Sequence, residues 1–83
     1  MKPNRENIFQ VLARVEQAGS LPNSGQISVF VCDSDGALRR HPTQLVVRIS
    51  GDTVFVCFTR MPFVRPYVYS RQALHAARLL SAP

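Results

Sequence analysis

Cysteine is scarce in this sequence, acidic residues are few, and long apolar runs are missing. Two cysteines, Cys32 and Cys57, are too few to staple a small scaffold, and neither belongs to a Cys-x-x-Cys pair, so the pattern points to free thiols in a reducing compartment. No stretch approaches the ~18 apolar residues that cross a bilayer, and residues 1–10 lack the apolar segment of a secretion signal. A soluble, cytoplasmic protein without a membrane partner is expected. Also missing are a glycine-rich phosphate loop, a paired-carboxylate signature, and any recognised arrangement of Ser, Cys or carboxylate around His41 or His75. Cys32, Cys57, His41 and His75 lack the paired spacing of a zinc site. These absences predict a protein that is not an enzyme and that uses neither metal nor cofactor.

What the chain does hold is apolar material and arginine. With 83 residues, 46% hydrophobic and 18% charged, it can pack one small core but has few atoms to spare for a deep cavity, so action through a surface is expected. Ten basic residues stand against five acidic ones, for a net charge of +5. The charge is uneven. Residues 1–38 sum to −1, whereas residues 39–83 set seven arginines against Asp52 alone and sum to +6. Lys2 is the single lysine, and the guanidinium of the others favours bidentate pairing with phosphate or carboxylate and stacking on aromatic rings. The natural partner is a polyanion or an acidic protein face; the plainer reading is that the charge serves solubility.

Periodicity supplies the elements. Asn4 can cap a helix in which Ile8, Val11, Leu12 and Val15 share one face, over about residues 4–18, with Gly19 as a left-handed stop. Residues 26–33 alternate Ile27, Val29, Val31 against Ser28, Phe30, Cys32, as a strand does, and Asp35-Gly36 is a turn signal. Pro42 leaves residues 37–43 as either an edge strand with a bulge or a loop. Residues 44–50 and 53–59 flank Gly51-Asp52, which suits a type II′ hairpin pairing Ile49 with Val54, Val47 with Val56 and Leu45 with Phe58. Two prolines in residues 61–66 exclude an ordinary central strand, and Tyr67-Val68-Tyr69 can add a short one. Ser70 then caps a second helix, with Ala73, Ala76, Ala77 and Leu80 on one side and a basic stripe of Arg71, His75 and Arg78 on another. The fold class is α+β: one domain over residues 1–83, in the order helix, three to four antiparallel strands, helix, with both helices packed on one face of the sheet.

Three features are candidate contact surfaces. The sheet face opposite the apolar one projects Phe30, Arg48 and Phe55, and a tight first hairpin would add Arg39 and His41; this face is either covered, by a further element or a second subunit, or open to bases and phosphates. The second is the stripe of Arg71, His75 and Arg78, either a phosphate-binding face or a solvated one. The third is a set suited to interface hot spots, Arg65, Tyr67 and Tyr69.

Gly36-Ala37-Leu38-Arg39-Arg40-His41, the strand Val46-Val47-Arg48-Ile49-Ser50-Gly51 and the helix start Ser70-Arg71-Gln72, in an α-β-β-β-α order, resemble the double-stranded RNA-binding domain. That resemblance implies His41 at a minor groove, with Arg71 and His75 facing phosphates. Gln72 stands where that family has a lysine, and the proline segment 61–66 replaces a glycine-rich strand region.

Three functional expectations follow. One is a small basic inhibitor or adaptor of the kind encoded by phages and mobile elements, an anti-CRISPR protein for example, docking on an acidic host protein or a nucleoprotein complex. Another is a module that binds RNA or DNA directly through its arginines. The last is a homodimer that buries Phe30, Phe55 and Cys57 between copies. A protein target is placed slightly ahead of bare nucleic acid.

Overall fold

The i, i+3, i+4 spacing of Ile8, Val11 and Leu12 does close into a helix, α1 (Arg5–Gln17), in the computed structural model, which describes residues 5–31, 43–59 and 63–80. Ile8, Leu12 and Ala13 are its buried residues. Its end is built as the sequence suggests: Gly19 takes φ of 75°, the Ser20 amide donates to the Val15 carbonyl and the Gly19 amide to the Glu16 carbonyl, the paired bonds of a Schellman stop.

Four strands follow, β1 (Ser24–Val31), β2 (Thr43–Ser50), β3 (Thr53–Phe58) and β4 (Tyr67–Ser70), all antiparallel and in sequential order across one sheet. The β2–β3 register is the expected one, with Ile49 opposite Val54, Val47 opposite Val56 and Leu45 opposite Phe58. Among the described residues only glycines have positive φ, so Gly51, at 59°, carries the left-handed position and Asp52 does not, as a type II′ turn requires. The Asp35-Gly36 turn and the choice between strand and loop for residues 37–43 fall, apart from Thr43, outside the described residues. What is described is that β1 pairs directly with β2 over eight positions, from Ser24 opposite Ser50 to Val31 opposite Thr43.

Side chains alternate across this sheet, so register alone decides its two faces. The inner face carries Leu45, Val47, Ile49, Val54, Val56, Phe58 and Tyr69, and these form one core with Ile8, Leu12 and Leu21 and with Leu74 of the second helix. Both helices therefore cover the same side.

The second helix departs from expectation. α2 (Arg71–Ala76) is only six residues long, its buried residue is Leu74, and the chain turns extended at Ala77, so Ala73 and Ala76 are exposed and Arg78 and Leu80 are not helical. So short a helix cannot hold itself by its own ladder. Its first turn is capped from the β2–β3 turn: Asp52 Oδ1 accepts from the Gln72 amide at 2.9 Å, the Asp52 carbonyl from the Arg71 amide at 2.7 Å, and Ser70 Oγ donates to Asp52 Oδ2 at 2.8 Å while accepting from the Ala73 amide. At the other end Gln17 Nε2 donates to the carbonyls of Leu74, His75 and Ala77. The extended tail then lies along α1, where Gln10 accepts from the Leu80 amide and donates to the Arg78 carbonyl, and Arg14 donates to the Leu80 carbonyl at 2.6 Å. Gln10, Arg14 and Gln17 are spaced as one row on α1. Their pull on these carbonyls overrides the helix propensity of Ala77-Arg78-Leu79-Leu80.

Asp52→Ala removes the acceptor of the Gln72 amide and of the Ser70 hydroxyl and is expected to cost about 1–2 kcal/mol in urea unfolding, with Asp52→Asn, which keeps a side-chain carbonyl acceptor, much closer to the parent.

Candidate binding surface

The sheet face turned away from the helices is assembled row by row from the pairing. One row reads Gln26, Arg48, Phe55, Val68 across the four strands; the next reads Ser28, Val46, Cys57; a third sets Phe30 beside Gln44. Phe30 is 62% exposed, Val68 46% and Phe55 38%, while Cys57, a free thiol, is half-buried. Arg48 is the only charged side chain in these rows. Its Nε donates to Gln26 Oε1 at 3.3 Å, which holds the guanidinium beside its cross-strand neighbour Phe55. A shallow open depression of about 570 Å³ lies here, lined by Gln26, Arg48, Ser50, Phe55, Cys57 and Pro66. The result is an apolar floor with one fixed cation, of the kind that receives an apolar anchor beside an acidic group.

The other described sequence candidates do not join it. Arg39 and His41 lie outside the described residues. Arg65 and Arg78 are exposed, on the approach to β4 and on the tail. Arg71 turns inward: it donates to the carbonyls of Leu21 and Pro22, and its Nη2 is 3.0 Å from Glu16 Oε2, with only 20% and 12% of the two side chains exposed. That oxygen lies off the hydrogen-bond direction, so the contact is electrostatic. His75 Nδ1 sits 3.3 Å from the other Glu16 oxygen. The expected stripe is thus interrupted twice, by Glu16 between Arg71 and His75 and by the end of the helix before Arg78. The role for Arg71 implied by the resemblance to the double-stranded RNA-binding domain is filled instead by a clamp on the α1–β1 connection. Nothing in the local sequence signals that clamp, because Glu16 and Leu21 come from another part of the chain.

Tyr67 and Tyr69 also face inward. Phe58 meets the Tyr67 ring edge-on at 4.9 Å, Phe9 lies 6.0 Å from the Tyr69 ring, and the Arg5 guanidinium stands over both tyrosines at 5.3 and 4.8 Å. Arg5 donates to the Val68 carbonyl at 2.8 Å, and the Tyr69 hydroxyl donates back to the Arg5 carbonyl at 3.0 Å. This cation–π contact ties the start of α1 to β4. It leaves Tyr69 as core rather than as an exposed anchor.

Among the described residues no group of three or more His, Cys, Asp or Glu side chains gathers, and no helix is long and apolar enough to cross a membrane.

Burial pushes the Tyr69 hydroxyl up to about 12 from its ordinary 10.0, with Arg5 pulling the other way. The folded state therefore holds this proton more tightly than the unfolded chain does. Its contribution to stability is complete below pH 10 and is lost as pH rises toward about 12, a slope that denaturant unfolding across that window reads and that Tyr69→Phe abolishes. No family model matches the chain, and neither a curated protein nor a solved structure matches it.

Proposed function

We propose that this chain is a small basic binding protein of the inhibitor or adaptor kind, without catalysis of its own, which docks the outer face of its sheet on an acidic protein surface. The observation that carries this is the uncovered row Arg48, Phe55, Val68, with Phe30 two rows away and no carboxylate in these rows. Apolar side chains surrounding a single oriented guanidinium are the composition of an interface centre, where arginine and aromatic residues contribute most.

A sheet that stacks single-stranded nucleic acid needs rings within reach of neighbouring bases and several cations along the backbone path. Phe30 and Phe55 stand two rows and two strands apart, roughly 17 Å by ordinary sheet spacings, too far to take adjacent bases. Three of the arginines, Arg5, Arg14 and Arg71, are engaged with backbone carbonyls. Their charge still adds to the positive field that would draw in an acidic partner, while the donors named here are committed to main-chain carbonyls.

The test is quantitative binding by a partner recovered on the tagged chain, purified and titrated by calorimetry. Arg48→Glu and Phe55→Ser should each weaken it at least about ten-fold, about 1.4 kcal/mol, while thermal unfolding stays within a few degrees of the parent. Partner affinity indifferent to both changes overturns the reading. So does retention of RNA or DNA with a steep salt dependence, which would assign the face to phosphates.

A further inference from the structure

The two edges of the sheet are unlike. β4 is four residues long, is preceded by Pro66, runs straight into α2, and has its Val68 carbonyl taken by Arg5. Those are the devices that stop a sheet edge from pairing. β1 has none of them. It is eight residues long, SGQISVFV, with no charge and no proline, and its register with β2 runs without a bulge. Among the described residues no strand lies beyond it and no backbone group of β1 bonds to anything but β2. Its inward side chains are less covered than those of the next strand: Ile27, Val29 and Val31 are half-buried, whereas their neighbours Val47 and Leu45 on β2 are fully buried.

We infer that β1 pairs antiparallel with β1 of a second copy of this chain, joining two sheets into one of eight strands. An antiparallel partner related by a two-fold axis is self-complementary, so one edge satisfies the other. Side chains must keep their faces, which requires a residue to sit opposite itself. Placing Ser28 on the axis pairs residues 25–31 and sets Ile27 and Val29 of each copy against each other, with Val31 beside the partner's Gly25, whereas an axis at Val29 pairs only residues 27–31. An axis at Ile27 leaves Val31 beyond the paired region. A second copy brings an edge of the same length and the same lack of charge. Two chains of +5 repel, and β1 is a neutral edge along which they can meet without opposing like charges. A strand of eight residues is about 27 Å long, and with side chains reaching about 5 Å on each face the pair buries on the order of 500 Å², the size of a weak, reversible contact.

Nothing here depends on what the outer face binds. Sedimentation of the full chain from micromolar to millimolar concentration should show reversible dimers, with the amides of β1, and not those of β4, gaining hydrogen-exchange protection as concentration rises. Ser28→Lys, at an exposed position, sets two ammonium groups opposite each other and should weaken the dimer at least about ten-fold without shifting the melting curve of the monomer. A chain that stays monomeric throughout the range overturns the inference. A dimer that survives Ser28→Lys and is lost in Phe55→Lys also overturns it, and moves the contact to the outer face.

Discussion

A helix of six residues has more unpaired backbone groups at its ends than bonds within it, and the C-terminal third of this protein depends on how those groups are satisfied. The answer comes from distant side chains. Asp52, at the tip of the β2–β3 hairpin, closes the first turn of α2, and Gln17, at the end of α1, collects its last carbonyls. Leu74 can be buried against the core only because both ends are tied. The tight turn is thus two things at once, a reversal between strands and a cap for a helix.

Arginine is used in the same way. Arg5, Arg14 and Arg71 donate to backbone carbonyls of β4, the tail and the α1–β1 connection, so three guanidinium groups act as struts between elements that are far apart in sequence. A planar group with five donors suits that work better than an ammonium. It also shows how a chain with few acidic residues holds guanidinium groups in place: Arg5, Arg14 and Arg71 are satisfied by main-chain oxygen, with Glu16 beside Arg71 as well.

The parts of this fold that were legible in the sequence are those set by short periods and turn chemistry. Alternation over residues 44–50 and 53–59 fixed the hairpin register to the residue, because a slip by one would expose Val47 and Val56. Gly19 and Gly51 marked their turns because each needs positive φ. The length of α2 was not legible: Ala77-Arg78-Leu79-Leu80 favours helix locally, and the bonds that unwind it come from a polar row on α1 sixty or more residues earlier. The outer face was half legible. Alternation placed Arg48 beside Phe55, but the inward turn of Tyr67 and Tyr69 follows from β4 joining β3 with Tyr69 opposite Val54, a pairing that no local pattern announces.

The row of Gln10, Arg14 and Gln17 reaches only residues at the far end of the chain. In a chain made from its N-terminus that polar row lacks these acceptors until residues 74–80 have followed, so a helix formed before them is locked in place only after them.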